Sequence, residues 1–400
     1  MQVAPPPTQE EARSSLRVLH LYAGNLYGGV ETLLRTLAEE RATNPGMDPA
    51  FALTAEGRLS RELRASGVTL HMLPAVRVRY PWTLLRARRA LRKVLKTEHY
   101  DVAVCHSPWP LGVFGSTLRS ASMPFVFFQH DIAKGTHWVE RWAKRKVPDA
   151  IVSNSYFTAK SAAHLFPGQS PAVVHCPVRS PAPPVSLAER DAVRRALRKE
   201  LATDEDSVVV LQVSRLERWK GHSLLVQALG KMRPKAPWTA WIVGGVQREH
   251  EQAYFDELRA LGERLGVAPR IRWLGQRSDV PALMNAADIF CQPNLGPEPF
   301  GIVFIEALGH GLPVVTTSMG AATEIVDSEC GVLVPPRDEE LASALSKLID
   351  DPEARRALGA RGPARARDVS DVKQQMSRLG NVLAAIARRD HSVSTWKEGT

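Results

Sequence analysis

Seven short, β-rich apolar runs, a proline-rich break, and then six more such runs, each set interleaved with helical patterns, constrain this chain more than any other feature. The first set covers 16–22, 50–54, 68–73, 101–105, 124–129, 149–153 and 172–175; the second covers 207–213, 238–243, 270–274, 289–292, 313–317 and 331–334. Strands that alternate with helices imply βαβ units and parallel sheets. Four hundred residues also exceed what one core holds. The expected fold class is therefore α/β, with two Rossmann-like domains facing across a cleft. The break Pro177-Val-Arg-Ser-Pro-Ala-Pro-Pro-Val185 reads as the linker. The expected division is a lead-in over 1–13, a first domain over 14–178, a linker and second domain over 179–371, a helix over 372–390 and a tail over 391–400.

Charge separates the two halves. Residues 1–178 hold 22 Lys and Arg against 13 Asp and Glu, a net of +9, whereas 179–400 hold 30 against 29. The first domain is thus expected to meet something anionic. Nucleic acid is excluded as a partner, because the basic residues are not interleaved with aromatics in any known module. Cys105, Cys176, Cys291 and Cys330 are far apart, with no C-x-x-C, and read as reduced, buried thiols of a cytoplasmic protein. No apolar run reaches the length of a membrane span, and the N-terminus lacks the pattern of a secretory signal.

Between two of the second-set strands lies Glu298-Pro-Phe-Gly-Ile-Val-Phe-Ile-Glu306, read as a loop followed by a helix. Loops after strand C-termini form the ligand crevice of a parallel sheet. Glu298 is expected in that loop, and Glu306 about two turns into the helix. Phe300, Gly301 and Ile302 would then form the helix start, with Phe300 and Gly301 in its first turn, where free N–H groups favour an anion. Arg215 and Lys220, in Val213-Ser-Arg-Leu-Glu-Arg-Trp-Lys-Gly-His222, leave the first strand of the second domain. A guanidinium fork and an ammonium there can hold a diphosphate, although a solvated basic loop would give the same local pattern. Pro124-Phe-Val-Phe-Phe-Gln-His-Asp131 is a strand ending in His130, able to donate to an oxygen or simply to satisfy a carbonyl. In Gly24-Asn-Leu-Tyr-Gly-Gly-Val-Glu31, Gly28 and Gly29 permit close backbone approach, but the segment is not a dinucleotide fingerprint.

The run from Pro293 to Val315 resembles the signature of the retaining glycosyltransferases of family 4, which have the GT-B fold. The likeness is strong over 208–336 and weaker over 17–177. It implies transfer of a hexosyl-type residue from a nucleotide diphosphate sugar to a glycan, lipid-linked or small-molecule acceptor, with retention of configuration. On this pattern Glu298 contacts the hexose hydroxyls of the donor and Glu306 the ribose hydroxyls. Arg215 and Lys220 stabilise the departing diphosphate, and His130 lies near the anomeric centre. Gly28 and Gly29 match a loop near donor phosphate and acceptor, and the last helix crosses back to the first domain.

Asp204-Glu-Asp206 matches the D-x-D pattern of metal-dependent transferases but precedes a strand instead of following one, so no metal and no cofactor beyond the sugar nucleotide are expected. The segment from Trp82 to Lys96 places Leu84, Leu91, Val94 and Leu95 on one face and Arg86, Arg89, Lys93 and Lys96 on another. That basic face suits either an anionic membrane surface at the inner face or plain solvent. Two other functions fit the same plan: a sugar-nucleotide epimerase, and a non-catalytic sugar-nucleotide-binding peripheral membrane subunit.

Overall fold

A computed structural model describes residues 15–24, 28–179 and 187–388. It divides into two compact units, one made of the described residues up to Val178 with those from Val372 onward, the other of Arg179–Asp371. The lead-in, the tail and most of the proline-rich linker lie outside the described residues.

The first unit is built on β1 (Leu16–Tyr22), β2 (Met47–Leu53), β3 (Leu70–Met72), β4 (Val102–His106), β5 (Phe125–Gln129), β6 (Ala150–Ser153) and β7 (Ala172–Val173). They form one sheet in the order β3-β2-β1-β4-β5-β6-β7, with every pairing parallel. The strands read as continuous apolar runs because both faces are covered. Leu19, Leu21, Cys105 and Phe127 pack against Leu91, Leu111 and Phe114 of helices on one face. Their alternating neighbours Val18, Val104, Val126 and Phe128 are equally buried on the other. β2 starts three residues earlier than the sequence indicated, because Asp48-Pro49 looks like a strand breaker. Pro49 is tolerated: it pairs with Val18, while β3 reaches β2 only from Phe51 onward, so the missing N–H costs no ladder bond on the outer side.

The helix Val372–Ala387 belongs to this unit although 193 residues of the second unit precede it. Met376, Leu379, Val382 and Leu383 are buried, Asn44 Nδ2 donates to the Met376 carbonyl at 2.9 Å, and the His175 N–H donates to Gln375 Oε1 at 3.1 Å.

The second unit repeats the plan with β8 (Val208–Val213), β9 (Trp238–Val243), β10 (Ile271–Gly275), β11 (Ile289–Gln292), β12 (Val314–Thr317) and β13 (Gly331–Val334), in the order β10-β9-β8-β11-β12-β13. All its pairings are parallel. Its helix Leu187–Glu200 is pinned by a buried charge. Arg198, 1 % exposed, donates to Asp288 Oδ2 at 2.7 Å and to the Ser207 carbonyl at 2.7 Å. The same Asp288 oxygen accepts from the Val209 N–H at 2.7 Å. Removing either partner would strand a desolvated charge. All four cysteines are free and buried.

Candidate active site

In the second unit β8 lies beside β11, and the chain winds outward from this pair in opposite directions, to β9 and β10 on one side and to β12 and β13 on the other. Such a reversal leaves a crevice at the carboxyl ends of the two strands. The loops 214–221 and 293–301 leave those ends next to each other, tied by the Leu295 N–H donating to the Trp219 carbonyl at 2.7 Å. Gly221 makes this approach feasible. Its φ is +73°, and a Cβ there would lie 1.7 Å from the Pro293 carbonyl oxygen.

The approach brings together two predicted residues 78 positions apart. Lys220 Nζ lies 2.7 Å from Glu298 Oε2, and both side chains are largely buried. Asn294 Nδ2 donates to the same oxygen at 2.8 Å. Gln292 Nε2 in turn donates to Asn294 Oδ1 at 3.1 Å, and Gln212 Nε2 holds the Lys220 carbonyl at 2.9 Å. The Lys220 ammonium also sits 3.9 Å from the centre of the Trp219 ring, which supplies a second electrostatic contact. The backbone of Glu298 is fixed as well, since its carbonyl accepts from the Ala321 N–H at 2.8 Å. The result is a carboxylate held by two donors on one oxygen, one an amide and the other an ammonium.

Arg215 is on the same loop, less buried, and its Nη1 is 2.8 Å from Glu217 Oε1. Next to it Gly244, with φ +131°, directly follows β9, and its N–H donates to the Gly275 carbonyl at 2.8 Å. The helix after Glu298 departs from the expected placement in two respects. It runs over Ile302–Gly309, so Gly301 is its N-cap, in a left-handed conformation, and the buried Phe300 precedes it. Phe300 and Gly301 therefore do not form the first turn, and Glu306 is the fifth helical residue, little more than one turn in. The reason is local: Gly301 at φ +103° turns the chain before the helix can start. Glu306 is half-buried, and the helix start still presents Ile302 and Val303 with N–H groups unclaimed by the helix itself.

The first unit has the same kind of switch point, between β1 and β4. His130 follows β5 directly and is 5 % exposed. It is not isolated: its Nε2 is 2.9 Å from His106 Nδ1, and His106 Nε2 is 2.9 Å from His20 Nδ1. His20 and His106 are fully buried. Phe128 stacks on His130 with ring centres 4.4 Å apart. Burial lowers His20 and His130 to about 3 and drives His106 well below its usual value, with its two histidine neighbours adding to the effect. All three imidazoles are neutral at neutral pH.

Gly28 and Gly29 stand at the end of the loop after β1, whose residues 25–27 lie outside the described part. The Gly28 N–H donates to Glu31 Oε2 at 2.9 Å, and Tyr22 Oη donates to Glu31 Oε1 at 2.9 Å. Glu31, 3 % exposed, thus fixes the helix entry, a task the sequence did not reveal.

Asn294, Gln292, Glu31, His20 and His106 were all missed as site residues. A signal existed for the histidines and Gln292, which are polar residues in otherwise apolar strand runs. Asp204, Glu205 and Asp206 are exposed in a turn at the start of β8, the opposite end of the sheet from Glu298. In the helix Pro81–Thr97, Leu91 is buried and Leu84, Val94 and Leu95 pack on the core, while Arg86, Arg89, Lys93 and Lys96 are exposed. Among the described residues no helix is long and apolar enough to cross a membrane.

Comparison with known proteins agrees with this layout. A family model described as glycosyl transferases group 1 matches residues 193–365, and one described as Glycosyltransferase Family 4 matches 27–180. A GDP-mannose-dependent alpha-(1-6)-phosphatidylinositol monomannoside mannosyltransferase of Mycolicibacterium smegmatis is 28 % identical over 77 % of this chain and 83 % of its own. A monoacylated-substrate counterpart from Corynebacterium glutamicum is 26 % identical over 90 % and 95 %. Among solved structures, HepE of Anabaena in complex with UDP and glucose superposes with a TM-score of 0.78 at 26 % identity, covering 92 % of this chain and all of that one. These relatives are transferases or bind a nucleotide and a sugar, which disfavours the epimerase. With a family model on each parallel-sheet unit, the chain belongs to the family 4 glycosyltransferases of GT-B fold.

Proposed function

We propose that the chain moves a hexosyl group from a nucleoside diphosphate hexose to an acceptor hydroxyl, with retention of configuration and without a metal ion. The observation that supports this most is the Lys220–Glu298 pair at the β8/β11 switch point, buttressed by Asn294. An ammonium suits the diphosphate, and a carboxylate whose second oxygen receives neither donor suits sugar hydroxyls. Glu298 holds the hexose, Glu306 the ribose hydroxyls, and the helix start at Gly301 and Ile302, behind Phe300, takes phosphate oxygens. The C1–O bond to the diphosphate breaks while Arg215 and Lys220 take up the charge that develops on the leaving oxygen. The acceptor oxygen bonds C1 on the same face, and its proton passes to the departing phosphate. His130 serves the reacting sugar, with Gly28 and Gly29 on the acceptor side. Two cations and a helix N-terminus carry the charge that a metal would otherwise neutralise.

The mannosyltransferase relatives and a HepE complex with UDP-glucose point to GDP-mannose and UDP-glucose as the donors to try first, and to lipid-linked or glycan acceptors. Product analysis tests the reading. Donor plus a phosphoinositide or oligosaccharide acceptor should give a glycoside of retained configuration, unaffected by chelator. Formation of an epimer from donor alone would sink it.

The basic helix Pro81–Thr97 supports a peripheral membrane role for the first unit. Trp82 and Leu85 are more than half exposed at its start, beside exposed Arg86, Arg89 and Lys93. Apolar and cationic groups at one surface suit an anionic bilayer. Flotation with anionic liposomes should be lost when Arg86, Arg89 and Lys93 are changed to Glu; equal flotation of both forms removes this role.

A further inference from the structure

The three histidines of the first unit do more than line one site. His20 on β1, His106 at the end of β4 and His130 after β5 come from three adjacent strands and project from one face of the sheet. The contacts run Nδ1 of His20 to Nε2 of His106, then Nδ1 of His106 to Nε2 of His130, each 2.9 Å. A neutral imidazole carries one N–H and one lone pair. If His106 donates through Nδ1, its Nε2 must accept from His20; if it donates through Nε2, its Nδ1 must accept from His130. Two arrangements therefore satisfy both contacts, with all three protons on Nδ1 or all three on Nε2.

The buried end distinguishes them. His20 Nε2 has no hydrogen-bond partner among the described residues. Placing the protons on Nε2 would leave an N–H orphaned there, which folded proteins rarely allow, whereas Nδ1 protons leave only an unused lone pair. Phe51 offers no rescue. Its ring stacks on His20 at 23°, so an in-plane N–H would run along the ring instead of into its face. The low values to which burial holds these groups keep the third possibility, a charged member, out of the neutral range.

We infer that the three histidines form a tautomer relay in which His20 and His106 are positioning residues that fix His130 with its proton on Nδ1. The inference rests on the reading that His130 serves the reacting sugar. His130 then presents a hydrogen-bond donor to a sugar oxygen and is not the base that removes the acceptor proton. That proton is left to the departing phosphate.

Imidazole ¹⁵N spectroscopy of the full chain, labelled at histidine, reads the tautomers directly at pH 7.5. Long-range ¹H–¹⁵N correlations should show the Nδ1–H pattern, the less common one for free imidazole, on His20, His106 and His130. In His106→Asp, whose carboxylate puts an acceptor in the place of Nδ1, the His130 proton should move to Nε2. There kcat should fall roughly tenfold, the loss expected for one hydrogen bond, with KM for the donor unchanged. His106→Asn, whose amide nitrogen takes the place of Nδ1, should restore both. An Nε2–H pattern on His130 in the unaltered protein overturns the relay, and that spectrum decides even if His106→Asp does not fold. So does a His130 Nε2 left unprotonated in His106→Asp. Full activity of His130→Ala would instead remove the assignment of His130 to the reaction, whatever the tautomer.

Discussion

A single glycine decides whether Lys220 can reach Glu298. Gly221 lets the β8 loop lie against the backbone of Pro293, and Gly221→Ala would force a Cβ into a carbonyl oxygen in a left-handed conformation that side chains resist. We expect Gly221→Ala to lower stability by about 1–3 kcal/mol in denaturant unfolding. Affinity for the nucleoside diphosphate should fall as well, since the loops of Lys220 and Glu298 move apart. Unchanged affinity would mean that the two loops do not need this contact. At this scale the sequence told more about the charged residues of the β8 and β11 loops than about the neutral ones beside them. Glu298, Arg215 and Lys220 stood out because charge near a strand end demands a reason. Asn294 did not, although it is 1 % exposed and holds the carboxylate, because an asparagine after a strand is also what any turn would contain. His106 was obscured for a different reason: its role depends on which strand lies next to which.

At the scale of elements, strand order makes the sites. β8 beside β11 brings Lys220 to Glu298, and β1 beside β4 beside β5 lines up three histidines. Periodicity gave strands and helices to within a few residues, missing the start of β2 at Met47, which Pro49 disguises, and the helix start after Gly301. Adjacency across the sheet is a tertiary fact and could not be counted along the chain. The histidine row has a thermodynamic signature. His20 and His130 titrate near 3 when folded and His106 well below its usual value, against about 6.5 when unfolded. Well above pH 6.5 both states are neutral. Below it the unfolded chain takes up three protons that the folded unit refuses, so stability declines as pH falls toward 3. Each histidine should cost about 1.4 kcal/mol between pH 7.5 and 5.5, a window above the carboxylate range. Urea unfolding of His106→Phe should show a drop over that window smaller by about this amount. An identical drop would mean that His106 is not buried as a neutral base.

For the whole molecule, the proposed function puts the donor on the second unit and the acceptor on the more basic first unit. The charge difference between the halves is compatible with this division, and the matching family models cover one unit each. The central claim is that Lys220 and Glu298 are parts of one donor site with different duties. Thermal unfolding with GDP, UDP, GDP-mannose and UDP-glucose separates those duties, because a ligand that binds only the folded state raises Tm. One diphosphate and its sugar should raise Tm of the unaltered chain, the sugar form more. Lys220→Ala should weaken both by roughly 10- to 100-fold, the range for a charge-assisted hydrogen bond. Glu298→Gln should keep the response to the diphosphate and lose the extra increment from the hexose. If both variants respond to all four ligands as the unaltered chain does, the donor site is not at the β8/β11 switch point.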